Sequence, residues 1–68
     1  MPRVGDWVMV DHPLYRGDWW QVCEVVVIGG YLLEDDASRL WVSADNIIFC
    51  PIRSAAMRLR KEREDAKR

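Results

Sequence analysis

Trp19-Trp20-Gln21-Val22-Cys23-Glu24-Val25-Val26-Val27-Ile28, then Gly29-Gly30, then Tyr31-Leu32-Leu33-Glu34, decides the reading of this chain. The first run is dense in valine and aromatic residues, which suit a pleated surface. Two adjacent glycines accept the positive φ angles of tight hairpin turns, so Gly29-Gly30 predicts a two-residue turn between paired strands. Within the first strand, Trp20 and Val22 share parity and face one side, which leaves Trp19 on the other.

Working outward, Val4-Gly5-Asp6-Trp7-Val8-Met9-Val10 alternates with period two and predicts a strand, with Val4, Val8 and Val10 on one face and Trp7 and Met9 on the other. Asp11-His12-Pro13 ends it, because proline cannot donate to a ladder. Glu34-Asp35-Asp36-Ala37-Ser38 is an acidic turn, and Arg39-Leu40-Trp41-Val42-Ser43 a strand with Leu40 and Val42 inward and Trp41 outward. Ser43-Ala44-Asp45-Asn46 reads as a short helical turn, and Ile47-Ile48-Phe49 as a brief last strand stopped by Pro51. Ser54 is placed to cap a helix over 55–67. Its apolar stripe, Ile52, Ala56 and Leu59 with Met57 beside it, would pack on the strands, while its distal turns project into water or fray. Closing five short strands into a barrel removes edges that so small a sheet could not protect. The expectation is a mainly β fold, a five-stranded barrel over 1–52 followed by a charged C-terminal α-helix over 53–68.

The chain has 68 residues, enough for one domain with a marginal core. No run approaches the roughly 20 apolar residues of a membrane span. The opening Met1-Pro2-Arg3-Val4-Gly5-Asp6 has no apolar core of a secretory signal, so a cytoplasmic protein without membrane partners is expected. Cys23 and Cys50 lack CxxC spacing and read as buried, reduced thiols, although pairing between neighbouring strands is the alternative. Charge is divided. Residues 1–52 carry three basic and eight acidic side chains, whereas residues 53–68 carry seven basic and three acidic ones. An acidic body is a poor electrostatic footprint for nucleic acid, which leaves the tail as the phosphate contact.

The opening strand with its Gly5-Asp6 pair, Trp19-Trp20-Gln21-Val22 with the valines after it, and Leu40-Trp41-Val42-Ser43-Ala44-Asp45-Asn46-Ile47 resemble the strands of small SH3-like barrels. The pattern is most similar to the C-terminal barrel of retroviral and retrotransposon integrases, and Tudor, chromo-like and KOW modules share the scheme. The resemblance covers residues 4–51 and implies a barrel and a part found in mobile elements, phages or large complexes. Integrase barrels are basic, and this one is acidic. Plasmid-borne dihydrofolate reductases resemble it in size and strand order, with Trp41-Val42-Ser43 standing where their Gln-Ile-Tyr run lies.

One histidine and two isolated cysteines supply no nucleophile–base–orienter set, and His12 with Ser38 or Ser43 has no motif behind it. His12, Cys23 and Cys50 do not complete a tetrahedral zinc site, and Glu34-Asp35-Asp36 lacks calcium-loop spacing. No catalytic residue, metal or cofactor is therefore assigned, and the chain reads as a binding module rather than an enzyme. Its expected contact set is Trp7, Met9, Tyr15, Trp19, Tyr31 and Trp41, engaging a protein or a second copy, because aromatic residues dominate interface energetics. Cover of Trp7 and Met9 by Ile52, Met57 and Leu59 of the chain's own helix is the alternative. Tyr15, Trp19, Tyr31 and Trp41 could form a cage for a methylated lysine. Arg58, Arg60, Lys61 and Arg63 are the candidates for phosphate or an acidic partner, which gives a second reading as a nucleic-acid accessory. A third is an oligomeric small-ligand or reductase-like barrel.

Overall fold

A computed structural model describes residues 1–67. It contains β1 (Trp7–Val10), β2 (Trp20–Val26), β3 (Gly30–Glu34), β4 (Arg39–Ser43), a 3-10 turn (Ala44–Asn46), β5 (Ile47–Ile48) and α1 (Pro51–Ala66). The fold is mainly β, one five-stranded antiparallel sheet followed by one C-terminal helix, in the order β4-β3-β2-β1-β5. Arg68, the last residue of the expected helical segment, lies outside the described residues.

Cross-strand register sorts the side chains onto two faces. Val8 opposite Trp20, Leu33 opposite Val22 and Leu40, and Tyr31 opposite Val25 and Val42 share the inner face. Val8, Val10, Trp20, Val22, Tyr31 and Leu33 make the buried core, with Tyr15, Leu40, Val42, Ile47 and Phe49 packed around it. The outer face carries three rungs: Trp7–Gln21–Glu34–Arg39, then Glu24–Leu32–Trp41, then Val26–Gly30–Ser43. Cys23 is an extra residue between Val22 and Glu24, where the register shifts. Without this bulge every later side chain of β2 would change face.

Several expectations are corrected by the backbone. Val4 is exposed and precedes β1, because Gly5 (φ +94°) turns the chain before the strand starts. The hairpin turn is Val27-Ile28-Gly29, not Gly29-Gly30. Gly29 alone has positive φ (+88°), while Gly30 pairs with Val26 inside the ladder. That placement puts two aliphatic side chains at the exposed tip.

The helix also differs. It begins at Pro51, whose fixed φ and missing N–H suit a first helical position, with Cys50 as the N-cap residue. Ser54 is thus inside the helix and is not its cap. It is 2% exposed, and its Oγ accepts the Trp7 N–H at 2.8 Å, tying α1 to β1. The face turned to the sheet is Cys50, Ser54, Met57 and Lys61, at helical spacings of four, three and four. Ile52 and Leu59 lie on the opposite side, since two residues rotate a helix by about 200°, and Ala56 lies on the flank toward Trp19. Ile52 is 81% exposed and Leu59 58%.

Candidate functional site

The aromatic residues divide into a covered group and an exposed one. Trp7 is buried although it lies on the outer rung, because α1 crosses that end of the sheet. Arg58 Nη2 reaches Asp6 Oδ1 at 3.1 Å and the Gly5 carbonyl at 3.3 Å, and Lys61 Nζ reaches Asp36 Oδ1 at 3.3 Å. Met57 and Lys61 line the space beside Trp7. Of the expected cover, Met57 takes part, while Ile52 and Leu59 point away. Tyr31 belongs to the inner core and is withdrawn from the contact set. Tyr15 is half-buried and stands edge-on to Trp20, ring centroids 5.8 Å apart, so it closes one end of the core. Met9 is half-buried opposite Ile48. With Tyr31 in the core and Trp41 on the outer face, Tyr15, Trp19, Tyr31 and Trp41 do not converge, and the methyl-lysine cage is withdrawn.

Trp41 is different. It is 60% exposed, at the centre of β4, a strand that pairs only with β3. Beside it a depression of about 450 Å³ runs along the outer face, walled by Val26, Ile28 and Trp41 and bounded by Val42 and Ser43. Its floor is Gly30. A Cβ there would stand 3.2 Å from the Val42 carbonyl oxygen, so glycine keeps the floor low and the strands close. Ile28 in the wall is 93% exposed, and Val27, the preceding residue of the hairpin turn, is fully exposed. Two apolar side chains left largely in water, Ile28 and Trp41, around a groove with a glycine floor, are what an interaction surface presents.

Charge near the groove is acidic. Residues 17–38 contain Asp18, Glu24, Glu34, Asp35 and Asp36 and no basic side chain. Glu24 is on the rung of Trp41, and Asp45 follows Ser43 by two residues. Arg39, the one basic side chain of β4, lies 3.9 Å from Glu34.

A second, smaller hollow of about 210 Å³ lies against α1, where Trp19 stands among Arg53, Ala56, Met57 and Arg60. Of the four expected phosphate contacts, Arg58 and Lys61 are held by Asp6 and Asp36, and Arg60 by Glu64 at 3.7 Å. Arg63 is exposed in the distal turns. Reading the sequence alone missed Arg53, which only the helix orientation brings beside Trp19.

The remaining polar groups serve local structure. Asp35 Oδ1 accepts the Ala37 N–H at 2.9 Å and the Ser38 N–H at 2.7 Å, closing the acidic turn. Those backbone donors, Ala37 first, hold the Asp35 carboxyl below its usual 3.8. Ser38 Oγ donates to the same carboxylate, and His12 Nδ1 accepts the Leu14 N–H. Cys23 Sγ donates to the Leu32 carbonyl, and both cysteines are free. Among the described residues no group of three metal-ligating side chains is assembled, and no helix is long and apolar enough to cross a membrane.

Compared with known proteins, the chain matches no family model, and no curated protein or solved structure is significantly similar to it.

Proposed function

We propose that this chain is a non-catalytic binding module that engages a protein surface, a partner's or its own, through the outer face around Trp41. The observation that carries this reading is the Trp41 groove, with an exposed indole, an exposed Val27-Ile28 tip and a floor opened by Gly30. The five-stranded order with β5 returning beside β1, and the 3-10 turn before β5, support its description as a small SH3-like barrel. Within the original contact set, Trp41 is the residue on which binding energy is expected to concentrate, because a tryptophan in a concave apolar site is the commonest kind of hot spot.

The test compares the chain with Trp41→Ala immobilised against extract of the native host. Proteins retained by the first and lost with the second, while both melt at the same temperature, are the expected result. Identical retained sets would remove Trp41 from the mechanism and the proposal with it.

A second reading has its own observation. Trp19 beside Arg53 and Arg60 offers a ring for stacking and two guanidinium groups for phosphate. It expects weak binding of single-stranded oligonucleotide that falls with salt and is abolished by Arg53→Glu with Arg60→Glu. Unchanged fluorescence anisotropy at low salt ends it.

A further inference from the structure

We propose that the groove at Trp41 is filled by the outer stripe of α1, Ile52, Ala56 and Leu59, from a second copy of this chain. This rests on the reading of the Trp41 face as an interaction surface and names its occupant. The first reason is the inverted helix. The side of α1 turned to its own sheet carries Ser54, Met57 and Lys61 and is held by polar ties, the Ser54–Trp7 hydrogen bond and the Lys61–Asp36 pair. The apolar stripe is left in water, with Ile52 81% and Leu59 58% exposed. A helix ordinarily buries its apolar stripe. Here the chain's own sheet does not cover it, so another surface must.

The second reason is charge. The stripe is flanked by Arg53, Arg60 and Arg63, and the distal segment 53–68 is net basic. Glu24 stands on the rung of Trp41, two residues before Val26 of the groove wall, in a body that is net acidic. These two exposed apolar surfaces thus carry opposite charge at their edges, which favours their encounter and opposes pairing of like with like. The near-neutral whole chain, at −1, adds no long-range repulsion between copies.

The third reason is size. From Ile52 to Leu59 the stripe rises about 10.5 Å along the helix. Across the outer rung from Val26 through Gly30 to Ser43 are two strand spacings, roughly 9.5 Å. An aliphatic side chain entering between Val26 and Trp41 finds no Cβ at Gly30 in its way.

Sedimentation velocity on the full chain tests the contact. The wild type is expected to sediment as a dimer or larger species whose fraction rises with concentration. Trp41→Ala, which empties the groove wall, and Leu59→Asp, which spoils the stripe, should each weaken association by at least about tenfold. An equimolar mixture of the two variants should associate more than either alone, because the intact stripe of the first fits the intact groove of the second. Both sites are exposed, so melting temperatures should match the wild type at protein concentrations too low for association. Association untouched by Leu59→Asp, or a mixture no better than its components, overturns the proposal. A wild type that is monomeric up to its solubility limit also overturns it. If retention of a host protein still depends on Trp41 in that case, the binding-module reading stands and only the second copy is wrong. If it does not, both fall.

Discussion

Replacing Ser54 by alanine removes a buried side-chain hydrogen bond that joins helix to sheet. The Trp7 N–H, 2.8 Å from Ser54 Oγ, lies on the side of β1 facing α1, and both residues are buried. Once the hydroxyl is gone, that donor has neither a protein partner nor room for bulk water. Leaving a buried donor unmade costs about 1–3 kcal/mol. Alanine is a better helix former than serine, which returns up to about 0.5 kcal/mol. The net loss is therefore about 0.5–2.5 kcal/mol. For a domain of this size 1 kcal/mol lowers the melting temperature by roughly 4–8 °C, so a fall of about 8 °C is expected from a mid-range loss. The assay is thermal unfolding followed by far-UV circular dichroism at one fixed protein concentration, because self-association would otherwise move the midpoint. Ala55→Ser on the exposed side of the same turn is the control, and it should change stability by only the propensity difference. If Ser54→Ala melts at or above the wild-type temperature, the hydroxyl is not the strut described here.

Helix orientation makes a separate prediction. At protein concentrations too low for self-association, Ile52→Asp should change stability by less than about 0.5 kcal/mol, whereas Met57→Asp, on the face beside Trp7 and Trp19, should cost more than about 1 kcal/mol. The reverse order in urea titrations would place the helix the other way round. For Asp35, a folded-state pKa below 3.8 means that its stabilisation is fully present above that value and is lost as pH falls through the lowered one. Asp35→Ala should therefore destabilise the protein at neutral pH, with the gap from wild type closing below pH 3.8. A gap unchanged in strong acid would show that the charge on Asp35 does not support the turn. Arg58→Ala, removing an ion pair half in water, should cost no more than about 1 kcal/mol and less still in high salt, as read by denaturant midpoints.

Strand pattern was readable because period-two alternation is local. Neighbours two residues away place Val8 and Val10, and Leu40 and Val42, inward and put Trp20 and Val22 on one shared face, and all six line the inner face. Trp41 was placed outward by the same rule and is exposed. Tyr31 was misjudged because it opens a strand beside a glycine, where local pattern says little. Its burial follows from the register with Val25 and Val42, which depends on the Cys23 bulge in the partner strand. The hairpin misreading has the same origin. Two glycines permit positive φ at either, and only the pairing of Gly30 with Val26 and Ser43 decides which one turns.

The C-terminal segment marks the boundary most clearly. Composition alone determined that it is a helix, that it is basic, and that Ile52, Ala56 and Leu59 share a stripe, because helix propensity and a period of 3.6 are properties of neighbours in the chain. Which side of that helix meets the sheet was decided by tertiary structure. The Trp7 N–H needs an acceptor, and Asp6 and Asp36 offer carboxylates to Arg58 and Lys61 across 52 and 25 residues of sequence. Those partners are brought close only by folding. Their demands turn the apolar stripe outward, where it and the Trp41 groove are left without a partner in a single copy.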